Sequence, residues 1–290
     1  MGCDNSDSCS EQASSKPLAP VIFEYLTGQN KGIIVGHLCC KPNRNALSFA
    51  MLKALNDGFD KIKANKNARV LILKSDIQRV FCAGADLKER RAMTNQQVGV
   101  FVDALRALMT KLANLAIPVI AAIDGVALGG GLEMALACDI RISTTNSLLG
   151  LVETRLGILP GAGGTQRLSR VVGLAKAKEM IFTGSKLSGD QAAKIGLVNH
   201  AVEDAYEKAL ELAKEILKSA PIAIRASKKA INRGFDVDIN KGMLIEQHAY
   251  AHTIWTKDRQ IRRNSGIYRK TRSRLRWRII MSVCTNFKII

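Results

Sequence analysis

Ile117–Glu133 reads IPVIAAIDGVALGGGLE, and this stretch decides the fold of the chain. Its apolar run Val119–Ile123 predicts a buried strand, and Glu133–Cys138 predicts a helix that follows the three glycines. Glycines at such a junction allow a ligand oxygen to approach the backbone, where the unpaired N–H groups of a helix start lie. Taken alone, the glycine triplet favours a simpler interpretation, which is a tight strand-to-helix turn with close packing.

Two glutamates lie beside glycine-rich segments, and a turn of small residues precedes both of them. Glu133 closes the quoted stretch, and Glu153 follows it shortly before Leu159–Gly164. The turn of small residues, Ala83–Asp86, comes after a predicted strand. Glu133 lies among apolar residues, where burying a lone carboxylate costs free energy. This cost favours a functional role for Glu133. Backbone N–H donors and two carboxyl groups are what the addition of water to an activated acyl group, or its removal, requires.

The rest of the chain alternates short apolar runs with amphipathic segments, which predicts an α/β layered fold. Val21–Val35 predicts a strand, a turn and a strand, and the last third of the chain is predicted to be mostly helical. The other predicted strands are Val70–Leu73 and Asp139–Ile142. The predicted helices are Ser48–Ala64, Val98–Leu115, Ala175–Thr183, Ser188–Ile195, Ala205–Ser219, Ile222–Asn232 and Ile239–Ile254.

The chain is long enough for one large domain, and its charge is unevenly distributed. It has 290 residues, of which 47% are hydrophobic, and a net charge of +18. Residues 260–290 contain nine Lys or Arg and no Asp or Glu, so half of the net charge lies there. The other half suits an anionic small ligand as well as it suits RNA. Charged residues and glycines interrupt the longest apolar stretch, Ile117–Cys138, so no membrane span is predicted.

The cysteines and histidines do not form a metal-binding pattern. None of the seven cysteines lies in a C-x-x-C pair, and we interpret them as free thiols in a reducing compartment. His248 and His252 have a spacing that can bind a metal on a helix, but no third ligand is placed nearby, so ordinary packing is favoured. No metal or redox cofactor is therefore expected.

The first residues of the chain are predicted to be disordered, but they also fit a pattern for lipid attachment. Residues 1–17 are polar and serine-rich, which predicts disorder, and no mitochondrial presequence or secretory signal is recognisable there. Met1–Ser6 fits the pattern for N-myristoylation, with Cys3 available for a second acyl chain. An ordinary or truncated start is favoured, and membrane attachment is expected only if Gly2 and Cys3 are acylated.

Four motifs resemble the enoyl-CoA hydratase/isomerase (crotonase) family in their order and spacing. They are Phe81–Lys88, Ile117–Glu133, Gly150–Glu153 and Pro160–Leu168. The resemblance runs from about Glu24 to Arg259. Asp86–Arg90 and Leu151–Thr154 are also similar to one branch of the family, the AU-rich-RNA-binding methylglutaconyl-CoA hydratases and their near relatives.

This resemblance implies an α/β fold in which repeated ββα turns form a spiral, followed by a C-terminal helical trimerisation region. The implied spiral core covers residues 18–202, and the implied helical region covers residues 203–259. A homotrimer or a hexamer is expected, because these are the usual assemblies of the family. Residues 260–290 depart from the family as an atypical basic tail. A frameshift, splice variant or gene-model error is the simplest explanation for this tail, and a nucleic-acid-binding or membrane-binding tail is the alternative.

The resemblance also implies roles for individual residues. The N–H groups of Ala85 and Gly130 would form the oxyanion hole. Glu133 would activate the water that attacks Cβ, Glu153 would deliver a proton to Cα, and Gly161 would help to hold the water. The implied substrate-binding and CoA-binding residues are Ala83, Gly84, Ala85, Asp86, Leu87, Lys88, Gly129 and Gly130. Because isomerases of the family usually keep only one of the two glutamates, the pair favours a hydratase.

The implied reaction is hydration of a short or branched enoyl-CoA such as 3-methylglutaconyl-CoA, in leucine breakdown or fatty-acid β-oxidation. Coenzyme A is then part of the substrate and no separate cofactor is needed. The alternative is an RNA-binding or interaction protein whose altered tail has reduced or abolished hydratase activity. RNA binding is not favoured, because the first predicted helix carries few lysines and no interleaved aromatic residues that could stack on bases. The family suggests a mitochondrial location, with the cytoplasm as the alternative.

Overall fold

The computed structural model describes residues 19–257. Its strands are β1 (Val21–Tyr25), β2 (Ile33–Leu38), β3 (Val70–Ser75), β4 (Val80–Cys82), β5 (Val119–Ile123), β6 (Val126–Leu128), β7 (Ile140–Thr144), β8 (Leu148–Gly150), β9 (Leu187–Ser188) and β10 (His200–Val202). Its helices are α1 (Phe49–Ala64), α2 (Leu87–Arg91), α3 (Asn95–Ala113), α4 (Gly130–Ala137), α5 (Gly164–Val172), α6 (Leu174–Thr183), α7 (Gly189–Lys194), α8 (Ala205–Leu217), α9 (Pro221–Gly234) and α10 (Ile239–Ile254). The expectations for residues 1–17 and 260–290, including acylation of Gly2 and Cys3, lie outside the described residues. Within residues 19–257, no helix is both long enough and apolar enough to cross a membrane.

The strands form two sheets, and successive strands alternate between them. The six-stranded sheet has the order β1-β2-β3-β5-β7-β10, and the four-stranded sheet has the order β4-β6-β8-β9. From β3 to β8, the chain adds one strand to the first sheet and one to the second, and then forms helices before the next pair. Neighbouring strands are parallel except in the pairs β1–β2 and β8–β9. This repeated ββα path confirms the predicted spiral.

Both faces of the six-stranded sheet are covered, which explains the continuous apolar runs in its strands. Side chains alternate between the faces along a strand. On β3, Val70 and Ile72 belong to the buried cluster that contains the alanines of α8. Leu71 and Leu73 belong to the cluster beneath α1 and α3. α8 therefore packs on the sheet itself, although it lies in the C-terminal helical part of the chain.

Side-chain capping sets where the first long helices begin. Ser48 caps α1 by accepting a hydrogen bond from the N–H of Met51, so this helix begins where the sequence predicts. α3 begins at Asn95, three residues before the predicted start, because Thr94 and Gln97 form a capping box. The short helix α2, which lies between them, was not predicted. Its start at Leu87 is capped by the carboxylate of Asp86.

The last two helices of residues 19–257, α9 and α10, form a pair, and α9 is joined to the spiral by hydrogen bonds. Lys228 on α9 donates hydrogen bonds to the Asp139 carboxylate at 2.7 Å and to the Ile117 carbonyl at 2.9 Å. More than half of the surface of several apolar side chains in or beside these helices is exposed in the single chain. They are Ile231, Phe235, Ile239, Met243, Leu244, Tyr250 and Trp255. The boundary between residues 202 and 203 and the role in trimerisation stay predictions.

Candidate active site

The ends of β4 and β6 bring two backbone N–H groups together. These strands are parallel neighbours, so Ala85 after β4 and Gly130 after β6 lie at the same edge of the sheet. A Cβ atom built on Gly130 would lie 3.6 Å from the amide nitrogen of Ala85. Within residues 19–257, neither N–H donates a hydrogen bond. Two such donors at one place can stabilise a thioester oxygen that gains negative charge.

Glycine is required at two positions beside these donors. Gly84 has a φ of +101° and Gly129 has a φ of +51°, which are backbone conformations that favour glycine. A Cβ atom on Gly84 would also lie 2.9 Å from the carbonyl oxygen of Leu128. α4 begins at Gly130, whereas the sequence predicted a helix from Glu133. The glycine triplet thus forms the first turn of the helix as well as the junction.

The carboxylate of Glu133 is held by the start of α5. Its side chain is buried, and Oε1 accepts hydrogen bonds from the N–H groups of Ala162 at 2.8 Å and Gly164 at 2.7 Å. Gly164 is the first residue of α5, so the carboxylate lies at the positive end of a helix. Burial raises the pKa of Glu133, and these N–H groups with the charges of Arg167 and Arg106 act in the opposite direction. The pKa of Glu133 stays above its usual value because burial has the larger effect, and these contacts limit the rise and so help to keep the ionised form, which can accept a proton.

Glu153 lies in a different environment. It follows β8 as the first residue of a 3₁₀ turn, Glu153–Leu156, and is only 9% exposed. A Cβ atom built on Gly129 would lie 3.1 Å from its Oε1, so the carboxyl group rests against the start of α4. Among the described residues, its Oε2 has no hydrogen-bond partner. Burial, with a contribution from the charge of Glu133, raises the pKa of Glu153 to about 7.

Burial raises the pKa of both carboxyl groups, but their hydrogen-bond contacts differ. Glu133 is stabilised as an anion by two N–H donors, whereas Glu153 can keep its proton near neutral pH. Two titratable groups whose surroundings separate their pKa values suit the roles of base and acid. The two glutamates that the sequence singled out are thus close enough for the charge of Glu133 to raise the pKa of Glu153.

The other predicted site residues lie around the same edge. Gly161 directly precedes Ala162 in the turn that binds Glu133, and a Cβ atom on it would lie 2.9 Å from Val102 Cγ1. Ala83, Gly84 and Ala85 connect β4 to Asp86, whose carboxylate accepts the N–H groups of Lys88 and Glu89. Leu87 and Lys88 are exposed in the first turn of α2. The segment therefore runs from the paired N–H donors outward to solvent.

Asn45 and Leu47 were not predicted as site residues, yet they support the segment that carries the N–H of Ala85. Leu47 donates its N–H to the Gly84 carbonyl at 2.7 Å and accepts the N–H of Asp86 at 3.2 Å. Asn45 is fully buried, and its side-chain amide donates to the carbonyl oxygens of Phe81 and Leu38. Leu47 directly precedes the N-cap residue of α1, where an apolar residue often fixes the entry of the chain. That position is the signal that could have identified it.

The metal-ligand side chains, His248 and a lysine of α1 bear on metal binding and RNA binding. Within residues 19–257, no cluster of three or more His, Cys, Asp or Glu side chains could hold a metal ion. His248 is exposed, and its Nδ1 lies 2.7 Å from the Leu244 carbonyl oxygen of its own helix. On α1, Lys53 forms an exposed ion pair with Asp57 at 2.9 Å. The absence of a cofactor and of RNA binding stays a prediction.

Comparison with known proteins identifies the family. The model of the family described as enoyl-CoA hydratase/isomerase matches residues 28–277. The chain belongs to the enoyl-CoA hydratase/isomerase family. This finding confirms the resemblance that the four sequence motifs carried.

Similar proteins agree with this assignment. "Enoyl-CoA hydratase domain-containing protein 2, mitochondrial" of Mus musculus is 50% identical over 258 residues, which cover 87% of this chain and 86% of the relative. "Methylglutaconyl-CoA hydratase, mitochondrial" of Rattus norvegicus is 49% identical over 241 residues, which cover 81% of this chain and 76% of the relative. The crystal structure of enoyl-CoA hydratase from Bacillus anthracis matches with a TM-score of 0.83 and 42% identity, over 87% of this chain and 96% of that one.

Proposed function

We propose that this family member is an enoyl-CoA hydratase that adds water across the 2,3 double bond of a short or branched enoyl-CoA. The observation that carries the proposal is the pair of buried carboxyl groups of Glu133 and Glu153 beside the first turn of α4. The same turn supplies the N–H of Gly130, which lies next to the N–H of Ala85. Acid, base and oxyanion donors thus occur together.

In the proposed reaction, the N–H groups of Ala85 and Gly130 hold the thioester oxygen and make Cβ electrophilic. Glu133 accepts a proton from water as the water oxygen bonds to Cβ, while the N–H of Gly161 helps to hold that water. The double-bond electrons move onto the thioester oxygen, and Cα takes a proton from Glu153 as they return. Overall, one O–H bond of water and the C=C π bond are broken, and one C–O bond and one C–H bond are formed. A proton exchanged between the two carboxyl groups then restores the starting state.

The substrate is proposed to enter along Ala83–Lys88 and Gly129. Gly84 and Gly129 allow the thioester to approach the backbone because they carry no Cβ. The exposed ammonium group of Lys88 suits the phosphates of coenzyme A. Coenzyme A belongs to the substrate, and the proposed steps use only side chains and backbone groups of this chain.

The acyl chain is proposed to be short or branched, with 3-methylglutaconyl-CoA as one candidate. The support is the 49% identity to a relative named methylglutaconyl-CoA hydratase. The test follows the loss of enoyl absorbance with crotonyl-CoA and, in parallel, with 3-methylglutaconyl-CoA. Turnover of either by the wild-type protein, but not by Glu153→Gln, is expected, and the ratio of the two rates identifies the preferred chain. A folded wild-type protein that turns over neither substrate would refute the proposal.

The location and assembly are proposed by resemblance. Relatives with about half of their residues identical are named mitochondrial, which supports a mitochondrial location, and leucine breakdown or fatty-acid β-oxidation is the proposed setting. A homotrimer or hexamer is supported by the exposed apolar side chains of α9 and α10. RNA binding is the alternative activity, and retention of an AU-rich RNA in a gel-shift assay at physiological salt would support it.

A further inference from the structure

Two arginines hold the outer side of the Glu133-binding turn, which consists of residues 160–164. Nη1 of Arg167 donates a hydrogen bond to the carbonyl oxygen of Ala162 at 3.0 Å. Nε of Arg106 donates to the carbonyl oxygen of Gly161 at 3.2 Å. Within residues 19–257, neither arginine forms an ion pair with Glu133. Both guanidinium groups therefore act on this carboxylate through the backbone of the turn and through their charge.

A single peptide group links Arg106 to Glu133. The C=O and N–H groups of a trans peptide point in opposite directions. The Gly161 carbonyl faces Arg106, so the N–H of Ala162 in the same peptide points toward Glu133 Oε1, to which it donates at 2.8 Å. If this peptide flipped, a carbonyl oxygen would face the carboxylate and the Arg106 donor would lose its partner. The arginine thus opposes the flip.

Arg167 fixes the second half of the turn. Gly163 has a φ of +107°, and a Cβ atom on it would lie 2.1 Å from Arg167 Nη1, so glycine is needed for the side chain to fold back over the turn. The main-chain N–H of Arg167 donates to the Gly163 carbonyl at 2.8 Å, while its side chain holds Ala162. The main-chain bond orients the peptide whose N–H, that of Gly164, donates to Glu133, and the side-chain bond holds the preceding peptide of the same turn.

We propose that Arg106 and Arg167 are positioning residues of the hydration reaction, which fix the N–H donors of the Glu133-binding turn and keep Glu133 ionised. This inference rests on the proposed hydratase function. The charged groups that face Glu133 are these two arginines, which favour its anion, and Glu153, which opposes it. Asp103 pairs with Arg106 at 2.6 Å and weakens its effect, and the buried thiol of Cys138 lies near Arg167. Arg167 is therefore expected to have the larger effect.

The test is the pH profile of kcat/KM for crotonyl-CoA hydration in Arg167→Gln and Arg106→Gln. The acid limb reports the ionisation of Glu133, and the loss of a nearby cation raises the pKa of a carboxyl group. Each Gln variant is expected to move the acid limb upward by about half to one pH unit. In Arg167→Gln, kcat is expected to fall roughly tenfold to hundredfold, with KM changed by less than about threefold.

Two control variants separate positioning from a general loss of structure. Arg167→Lys keeps the charge, so its acid limb is expected to stay near that of the wild type even if kcat falls. Arg170→Gln removes a charge from the same helix, where Arg170 pairs with Asp236 at 3.2 Å and does not contact the turn, so its profile is expected to be unchanged. An unmoved acid limb in both folded Gln variants, or an equal shift in Arg170→Gln, would overturn the proposal.

A second measurement does not depend on turnover. The free energies of unfolding of Arg167→Gln, Glu133→Gln and the double variant give the coupling between the two side chains. We expect coupling at pH 8 and weaker coupling at pH 5, where more of Glu133 is protonated; no coupling at pH 8 would overturn the proposal. If the wild type fails to hydrate crotonyl-CoA, the hydratase proposal fails. The double-mutant cycle still tests whether Arg167 stabilises the Glu133 carboxylate. If Arg167→Gln does not fold, the same cycle with the more exposed Arg106 decides.

Discussion

At the residue scale, Glu133 and Glu153 are identical side chains in different surroundings, which suits the different roles proposed for them. Both are buried, but Glu133 accepts two backbone N–H groups, whereas Oε2 of Glu153 has no partner among residues 19–257. Burial raises the pKa of Glu153 to about 7, although backbone hydrogen bonds from Glu153 and Val152 act in the opposite direction, so the protonated form is favoured below that pH. Glu153, the proposed acid, thus lowers the free energy of unfolding at pH values at which its carboxyl group is ionised.

Glu153→Gln is therefore expected to stabilise the protein at pH 8 and to have little effect at pH 4. Because the pKa is raised from 4.5 to about 7, the folded state binds more protons than the unfolded state between these values, and wild-type stability falls as pH rises through this window. The full shift corresponds to about 3 kcal/mol above pH 7. Urea denaturation of both proteins across this pH range measures the difference. A difference that does not change with pH would show that Glu153 is not perturbed.

The sequence marked the two glutamates, but it did not show what holds them. The donors of Glu133 lie 29 and 31 residues away in the chain, at Ala162 and Gly164. The sequence patterns predicted no helix at residues 164–172, so the start of α5 and its N–H groups were not anticipated. Contacts of this kind depend on how the sheets pack, which local patterns do not encode. In contrast, Ser48 and the apolar spacing after it predicted α1 from local chemistry alone.

At the element scale, the start of α5 positions the proposed base. A Cβ atom on Gly164 would lie 2.9 Å from Glu133 Oε1, 2.8 Å from Pro160 Cβ and 2.9 Å from Leu151 Cδ1. Three neighbours on different segments cannot all move away without disturbing the carboxylate. The glycine is therefore needed for the close approach of α4 and α5.

Gly164→Ala is expected to lower kcat about tenfold to hundredfold, because a small misplacement of a catalytic group has effects of this size. Steady-state kinetics with crotonyl-CoA measures the change. The matched control is Gly99→Ala in the exposed part of α3, where a Cβ atom would meet nothing within 4 Å. The control is expected to keep full activity and to gain about 0.5–1 kcal/mol of stability from its better helix propensity. Equal kinetics in the two variants would argue against a role for the start of α5.

At the scale of the whole molecule, the spiral buries both glutamates of the candidate site but leaves the α9–α10 pair with exposed apolar side chains. Met243 and Leu244 are both more than half exposed, and no residue of α10 is buried in the single chain that the structure describes. Contiguous exposed apolar surface of this kind usually marks a protein contact. The sequence predicted both helices, but the helical pattern alone did not show that α10 lacks a buried face in the single chain.

The double variant Met243→Lys/Leu244→Lys is expected to convert the proposed trimer or hexamer into monomers. Two buried ammonium groups without partners would be costly in an apolar interface. Size-exclusion chromatography with light scattering measures the mass. Asp57→Lys on α1 makes the same change in net charge and is expected to leave the assembly intact. A wild-type protein that is already monomeric would refute the proposed assembly.

The most direct test of the proposed chemistry is the transfer of oxygen-18 from labelled water into the 3-hydroxyacyl product of crotonyl-CoA. Mass spectrometry is applied to the wild type, Glu133→Gln and Glu153→Gln, with circular dichroism to check that each is folded. We expect labelled product from the wild type and a loss of at least about a hundredfold in rate in each variant. Labelled product formed at the wild-type rate by either folded variant, or none from the folded wild type, would contradict the assignment of the two carboxyl groups.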